Sequence, residues 1–94
     1  MLAFPEVESL ETVEISGEVI AALPYFDGPI PQLVSDPRSS LIWDDARVHL
    51  LGSQKKSDVI ISDVLLSATT GTTHLLSQEF FAVCREHLKP GGLM

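Results

Sequence analysis

The sequence predicts an α/β fold built around a parallel sheet, and three observations support this prediction. Segments with strand-like and helix-like patterns alternate along the chain, an order that implies a parallel sheet with right-handed crossovers. The β-branched residues Val59, Ile60 and Ile61 form an apolar run that is too short for a helix and is typical of a strand buried on both faces. Acidic residues also stand at the ends of the predicted strands.

Length and composition limit the class of protein. A chain of 94 residues with 45% hydrophobic residues and a mean hydropathy of +0.23 predicts one small globular domain over residues 1–94. The net charge of -7 argues against nucleic acid as a partner, because phosphate binding needs a basic surface. No apolar run approaches the ~20 residues of a membrane span. The N-terminus also lacks the pattern of a signal peptide, so we expect a cytoplasmic protein with no membrane partner.

The local patterns predict three strands and three helices. The strands cover residues 10–15, 41–43 and 58–62, and the helices cover residues 17–23, residues 46–51 and a segment that follows Ser77. Ser16 and Ser77 are hydroxyl residues placed to cap the first and last of these helices. The first helix must end near Pro24, because proline disfavours the helical conformation in the residue before it.

The last helix has one predicted apolar face. The residues that repeat at helical spacing on it are Phe80, Phe81, Cys84 and Leu88. The Lys-Pro-Gly-Gly sequence at residues 89–92 is expected to end this helix, and residues 93–94 to open another strand. Cys84 and His87 supply at most half of a zinc site, so we interpret Cys84 as a small core residue and predict no metal site.

Carboxylates follow three successive predicted strands: Glu14, the pair Asp44 and Asp45, and Asp63. In a parallel sheet the carboxyl ends of all strands lie at one edge, so these acids would line a common rim. An acid after the second strand of a nucleotide-binding sheet typically accepts hydrogen bonds from ribose hydroxyls. A carboxylate after the next strand could accept a hydrogen bond from an adenine amino group. The alternative is that these residues only form turns, as acids at strand ends often do.

From about Phe4 onward, the chain resembles the spermidine/spermine synthase family, and most closely its long-chain, spermidine-synthase-like members. The motifs that carry the resemblance follow one another as Val13-Glu14-Ile15-Ser16, Asp36-Pro37-Arg38, Asp44-Asp45-Ala46-Arg47, Asp58-Val59-Ile60-Ile61-Ser62-Asp63, Leu75-Leu76-Ser77-Gln78-Glu79-Phe80-Phe81 and Leu88-Lys89-Pro90-Gly91-Gly92. The resemblance implies a partial Rossmann-like sheet of the S-adenosylmethionine-dependent methyltransferase type. Helices flank this sheet, and it lacks the family's first strand and its C-terminal strands.

The resemblance also implies a reaction. Members of this family transfer an aminopropyl group from decarboxylated S-adenosylmethionine, a co-substrate, to putrescine, which gives spermidine and methylthioadenosine without a prosthetic group. By position, Glu14 matches the family's ribose-binding acid, and Asp45, with Asp44 beside it, matches the acid that contacts adenine. Asp63 matches the acid that takes a proton from the attacking amine. The partners implied are thus a nucleoside and a polyamine.

Several departures from the family pattern shape our expectations. Leu66 stands where the second acid of the catalytic loop belongs, and Ser67 replaces the proline that normally follows. The family's first strand would lie between residues 10–15 and 58–62, so both strands would expose unpaired backbone groups. We therefore expect an incomplete copy that is marginally stable and inactive alone, with sheet edges open to a second copy or a partner. The alternatives are a small-molecule methyltransferase and a non-enzymatic remnant or interaction module.

Overall fold

The computed structural model describes residues 2–62 and 77–94. Its elements are β1 (Leu10–Glu14), α1 (Gly17–Ala22), a 3₁₀ helix (Leu23–Tyr25), α2 (Gln32–Ser35), β2 (Ser39–Trp43), α3 (Ala46–Gly52), β3 (Ser57–Val59), α4 (Gln78–Glu86) and β4 (Leu88–Leu93). The chain divides into two compact units, Met1–Ala46 and Arg47–Met94. That residues 1–94 form one domain stays a prediction.

Parallel strand pairing is confirmed, but the described strands form two sheets where the sequence predicted one. β1 pairs with β2, and β3 pairs with β4. In the first pair, Leu10 lies opposite Ser39 and Glu14 opposite Trp43, without a break in register. Both strands of this pair therefore end at the same edge. β1 ends one residue earlier than the sequence predicted, and β2 begins two residues before the predicted strand.

The first helix forms where the sequence predicted it. The Ser16 side chain accepts a hydrogen bond from the backbone N–H of Val19 at 3.3 Å, which satisfies one of the unpaired donors of the first turn. The helix is regular to Ala22 and then tightens into the 3₁₀ helix, in which Pro24 occupies an early position that needs no donor. Leu23, at this junction, is a buried residue.

Arg38 fastens the N-terminal segment to the turn before β2. Its guanidinium donates to the carbonyl oxygens of Leu2 at 2.6 Å, and of Phe4 and Val7 at 3.1 Å each. It also forms a salt bridge of 2.9 Å with Asp36, and this interaction lowers the pKa of the Asp36 carboxyl. Arg38 of the Asp36-Pro37-Arg38 motif thus connects segments that lie up to 36 residues apart in the sequence.

The prediction of a doubly buried strand over residues 58–62 is wrong. β3 contains only three residues, all of them exposed, and Ile61, two residues after its end, is 68% exposed. A strand becomes buried on both faces only when helices cover the two sides of its sheet. Among the described strands β3 has one neighbour, β4, with Ser57 opposite Leu88 and an irregular register beyond it.

The last helix begins as predicted and ends earlier. The Ser77 side chain accepts a hydrogen bond from the N–H of Phe80 at 3.1 Å. Phe80 is 3% exposed and Cys84 is fully buried, as expected of the apolar face. Phe81 was assigned to that face and is 45% exposed, because one narrow stripe of a helix meets its neighbours.

The Leu-Lys-Pro-Gly-Gly sequence belongs to a strand, which corrects its assignment as the end of the helix. α4 ends at Glu86, and β4 occupies Leu88–Leu93. Hydrogen bonds to the neighbouring segment favour this outcome: Ser57 N–H donates to the His87 carbonyl at 2.8 Å, and Ile60 N–H to that of Leu93 at 2.9 Å. Gly91 has a φ of +79°, a conformation that side chains disfavour and that permits the break in register.

Within the described ranges, no helix is both long enough and apolar enough to span a bilayer.

Candidate functional site

Two of the predicted site residues lie side by side at the carboxyl edge of the β1–β2 sheet. Glu14 is the last residue of β1, and Asp44 follows the last residue of β2. The backbone N–H of Asp44 donates to the Glu14 carbonyl at 3.2 Å, which extends the strand pairing by one residue. The parallel register brings these acids together although 30 positions separate them in sequence.

The Glu14 carboxylate is held in place by the chain that leaves β1. Its Oε1 atom accepts a hydrogen bond from the backbone N–H of Ser16 at 3.0 Å, and the residue is half-buried. Ser16 in turn caps α1 with its hydroxyl. The same turn therefore orients the carboxylate and starts the helix, and a carboxylate so fixed accepts further hydrogen bonds at little entropic cost.

Asp44 and Asp45 connect β2 to α3. Oδ1 of Asp44 accepts a hydrogen bond from the Asp45 N–H at 2.8 Å, and both residues are half-buried. Asp45 directly precedes the first residue of α3. Glu14, at the end of β1, and Asp44 and Asp45, directly after β2, thus lie at the same edge of one parallel strand pair. This is the location at which open α/β sheets bind ligands.

Trp43 lies at this edge as well, and the sequence interpretation missed it. Its indole Nε1–H donates to the Ile15 carbonyl at 3.0 Å. A Cβ atom at Gly17 would lie 2.9 Å from Cζ2 of the indole, so the ring rests where only glycine leaves room. Trp43 is nevertheless 73% exposed. The sequence pattern placed Trp43 only at the end of a predicted strand. Its position directly before two acids was the signal that could have assigned it to the site.

Asp63, assigned as the general base, lies outside the residues that the structure describes, as do Leu66 and Ser67. Its catalytic role stays a prediction that rests on sequence position. The chain is described again from Ser77, at the cap of α4.

The side chains of Cys84 and His87 have structural roles. Burial raises the pKa of the Cys84 thiol, in keeping with its interpretation as a core residue. The His87 ring bridges the Val83 carbonyl, 2.8 Å from Nδ1, and the Ser53 carbonyl, 2.9 Å from Nε2, and these contacts raise its pKa. Across residues 2–62 and 77–94, no three His, Cys, Asp or Glu side chains are grouped in a way that could hold a metal ion.

Comparison with known proteins gives a consistent result. A family model described as the spermine/spermidine synthase domain matches residues 1–94. The chain is 34% identical over 89 residues to polyamine aminopropyltransferase 1 of Pseudomonas aeruginosa, which covers 94% of this chain and 31% of that protein. It is 33% identical over 97 residues to the polyamine aminopropyltransferase of a Synechococcus species, covering 98% of this chain and 30% of that protein.

A shorter match extends the same pattern to another organism. The chain is 44% identical over 50 residues to a probable polyamine aminopropyl transferase of Bifidobacterium longum, which covers 53% of this chain and 11% of that protein. The chain spans about a third of the length of the first two relatives.

Proposed function

This chain belongs to the spermine/spermidine synthase domain family, and from that premise we propose that it binds the adenine nucleoside of an aminopropyl donor. The donor is decarboxylated S-adenosylmethionine, and the group is transferred to a diamine such as putrescine. One observation supports the proposal: the strand register places Glu14, Asp44 and Asp45 together at one edge of the β1–β2 sheet.

Each acid has a role suited to its place. The Glu14 carboxylate, fixed by the Ser16 N–H, accepts hydrogen bonds from the two ribose hydroxyls, because an ionised carboxylate offers several acceptor sites and no donor. Asp45, at the start of α3, accepts a hydrogen bond from the adenine amino group. Hydrogen bonds to charged acceptors contribute about 1.5–3 kcal/mol each, so loss of either acid weakens nucleoside binding substantially.

The transfer itself is assigned to the segment that begins with Asp63. The diamine nitrogen attacks the aminopropyl carbon attached to the sulfonium, so a new N–C bond forms as the C–S bond breaks. The electron pair of the broken bond stays on sulfur, which leaves neutral methylthioadenosine. Asp63 accepts the proton that the amine gives up, as a carboxylate within hydrogen-bonding reach can do.

One sequence observation favours a second candidate. Leu66 stands where the family has the second acid of the catalytic loop, and a leucine side chain cannot bind an ammonium group. A chain that binds the nucleoside without the diamine could instead serve a small-molecule methyltransferase. Comparison of S-adenosylmethionine with its decarboxylated form in the same binding assay separates the candidates, because only an aminopropyltransferase is expected to prefer the decarboxylated donor.

Calorimetric titration of the chain with methylthioadenosine tests the proposed site. We expect saturable binding that weakens about tenfold or more in Glu14→Gln and in Asp45→Asn, in line with the ~1.5–3 kcal/mol of a charged hydrogen bond. Asp27→Asn is the matched control, because Asp27 is an exposed aspartate in the loop before α2. The proposal would be contradicted if all three variants bound methylthioadenosine with wild-type affinity, or if the folded wild-type chain did not bind it.

A further inference from the structure

We propose that Trp43 is the aromatic platform on which the nucleobase stacks, and that the carboxylates beside it make this edge selective for uncharged or cationic nucleosides. The inference rests on the nucleoside site proposed above and adds to it a residue that the family motifs do not include.

The indole is anchored on two sides. Its Nε1–H donates to the Ile15 carbonyl, across the ends of β1 and β2, at 3.0 Å. Its benzene ring lies over Gly17, the first residue of α1, with Cζ2 2.9 Å and Cε2 3.1 Å from the position of a glycine-replacing Cβ. A tryptophan tied at both points has lost most of its rotamer freedom before any ligand arrives, so stacking costs little further entropy.

The same ring remains largely open. Trp43 is 73% exposed, although an indole gains much free energy when its apolar surface leaves water. Its single polar atom is already satisfied by the Ile15 carbonyl. What it offers a ligand is therefore a π-face, and adenine matches that surface because nucleobases stack on aromatic side chains.

The neighbouring charges restrict which nucleoside fits. Glu14 lies opposite Trp43 in the strand register, and Asp44 and Asp45 follow Trp43 directly. Arg38, in the turn before β2, is bound to Asp36 and to backbone carbonyls. The carboxylates of Glu14, Asp44 and Asp45 would repel a phosphate and attract a sulfonium. The site should take a nucleoside or a sulfonium nucleoside and reject adenosine monophosphate.

Trp43 also reports on its own surroundings, since it is the only tryptophan in the chain. Titration with methylthioadenosine is expected to quench its fluorescence with the same dissociation constant that calorimetry gives. In calorimetry, Trp43→Leu should weaken binding about five- to a hundredfold, the range for loss of one base–aromatic stack, and Trp43→Phe should recover part of it. Tyr25→Leu is the control, because Tyr25 is an aromatic residue of the 3₁₀ helix that is also mostly exposed.

Gly17→Ala supplies a second variant that leaves the indole present. Alanine favours helix over glycine, so α1 itself should not suffer, but the added Cβ would displace the ring. Weaker methylthioadenosine binding in this variant, with unchanged circular dichroism, supports the platform. If Trp43→Leu does not fold, the wild-type fluorescence titration and Gly17→Ala decide the matter.

The outcomes separate this inference from the proposed function. Methylthioadenosine binding that is unchanged in Trp43→Leu and Gly17→Ala, with no change in wild-type fluorescence, overturns the platform and leaves the nucleoside site standing. Tighter binding of adenosine monophosphate than of methylthioadenosine overturns the selectivity. If folded wild-type chain binds no nucleoside by calorimetry, both the proposed function and this inference fail.

Discussion

At the scale of single residues, side chains that reach across the sequence fix the positions of the connections. Trp43 donates to a carbonyl 28 residues away, and Arg38 to carbonyls 31 to 36 residues away. His87 joins the end of α4 to the Ser53 carbonyl, 34 residues earlier in the chain. None of these contacts leaves a local pattern, so the sequence placed Arg38 only in a motif of the family resemblance and Trp43 only in a predicted strand.

His87 gives a prediction about pH. Both ring nitrogens face carbonyl oxygens, of Val83 and Ser53, so the doubly protonated ring donates twice, and its pKa is raised from 6.5 in the folded chain. The stabilisation is therefore full below about pH 6.5, the pKa of the unfolded chain. It is lost as pH rises through the higher folded pKa.

Thermal unfolding between pH 5.5 and 8.5 measures this effect. We expect the midpoint to fall as pH rises above about 6.5, and this dependence to diminish in His87→Gln. His49→Gln, which removes a histidine of α3, is the matched comparison variant. A midpoint with the same pH dependence in His87→Gln as in the wild-type chain would show that the ring does not act in this way.

At the scale of elements, caps and strand pairing followed from the sequence, while burial did not. Ser16 and Ser77 cap α1 and α4 because the cap depends on residues three positions apart. The alternation in residues 10–15 gave β1 almost in full. β3 was expected to be buried, and the Leu-Lys-Pro-Gly-Gly sequence was expected to end a helix. Both expectations failed because burial and pairing depend on neighbouring segments, which a local pattern does not contain.

Helix α4 contains the clearest contrast between a buried and an exposed side chain. Phe80 and Phe81 are adjacent, yet Phe80 is 3% exposed and Phe81 is 45% exposed. Phe80→Ala should cost about 3–5 kcal/mol, the usual range for a buried phenylalanine, and so remove most of the helical signal. Phe81→Ala should cost far less. Urea unfolding followed by circular dichroism compares them, and equal losses would contradict the assigned burial.

At the scale of the whole molecule, few apolar side chains are buried among residues 2–62 and 77–94. The buried hydrophobic residues among those described are Leu23, Phe80 and Cys84, and large apolar side chains such as Tyr25 and Trp43 are mostly exposed. Folding must offset roughly 1–2 kcal/mol of backbone entropy per residue, chiefly by burial of apolar surface. The sequence interpretation reached the same expectation of marginal stability from the family's sheet order.

Urea unfolding of the purified chain tests this expectation. We expect a shallow transition with a free energy of unfolding below about 3 kcal/mol, less than the 5–15 kcal/mol typical of native proteins. Exposed strand edges should also make the chain associate as its concentration rises. A cooperative transition several kcal/mol deep, independent of concentration, would show that the 94-residue chain is stable by itself.

An amide chemical-shift map of the ¹⁵N-labelled chain, titrated with methylthioadenosine, tests most directly whether an adenine nucleoside binds at the carboxyl edge of the β1–β2 sheet. We expect saturable shifts concentrated at residues 14–17 and 43–45, where the acids and Trp43 lie. Shifts confined to other parts of the chain, or none at saturating ligand, would contradict that expectation.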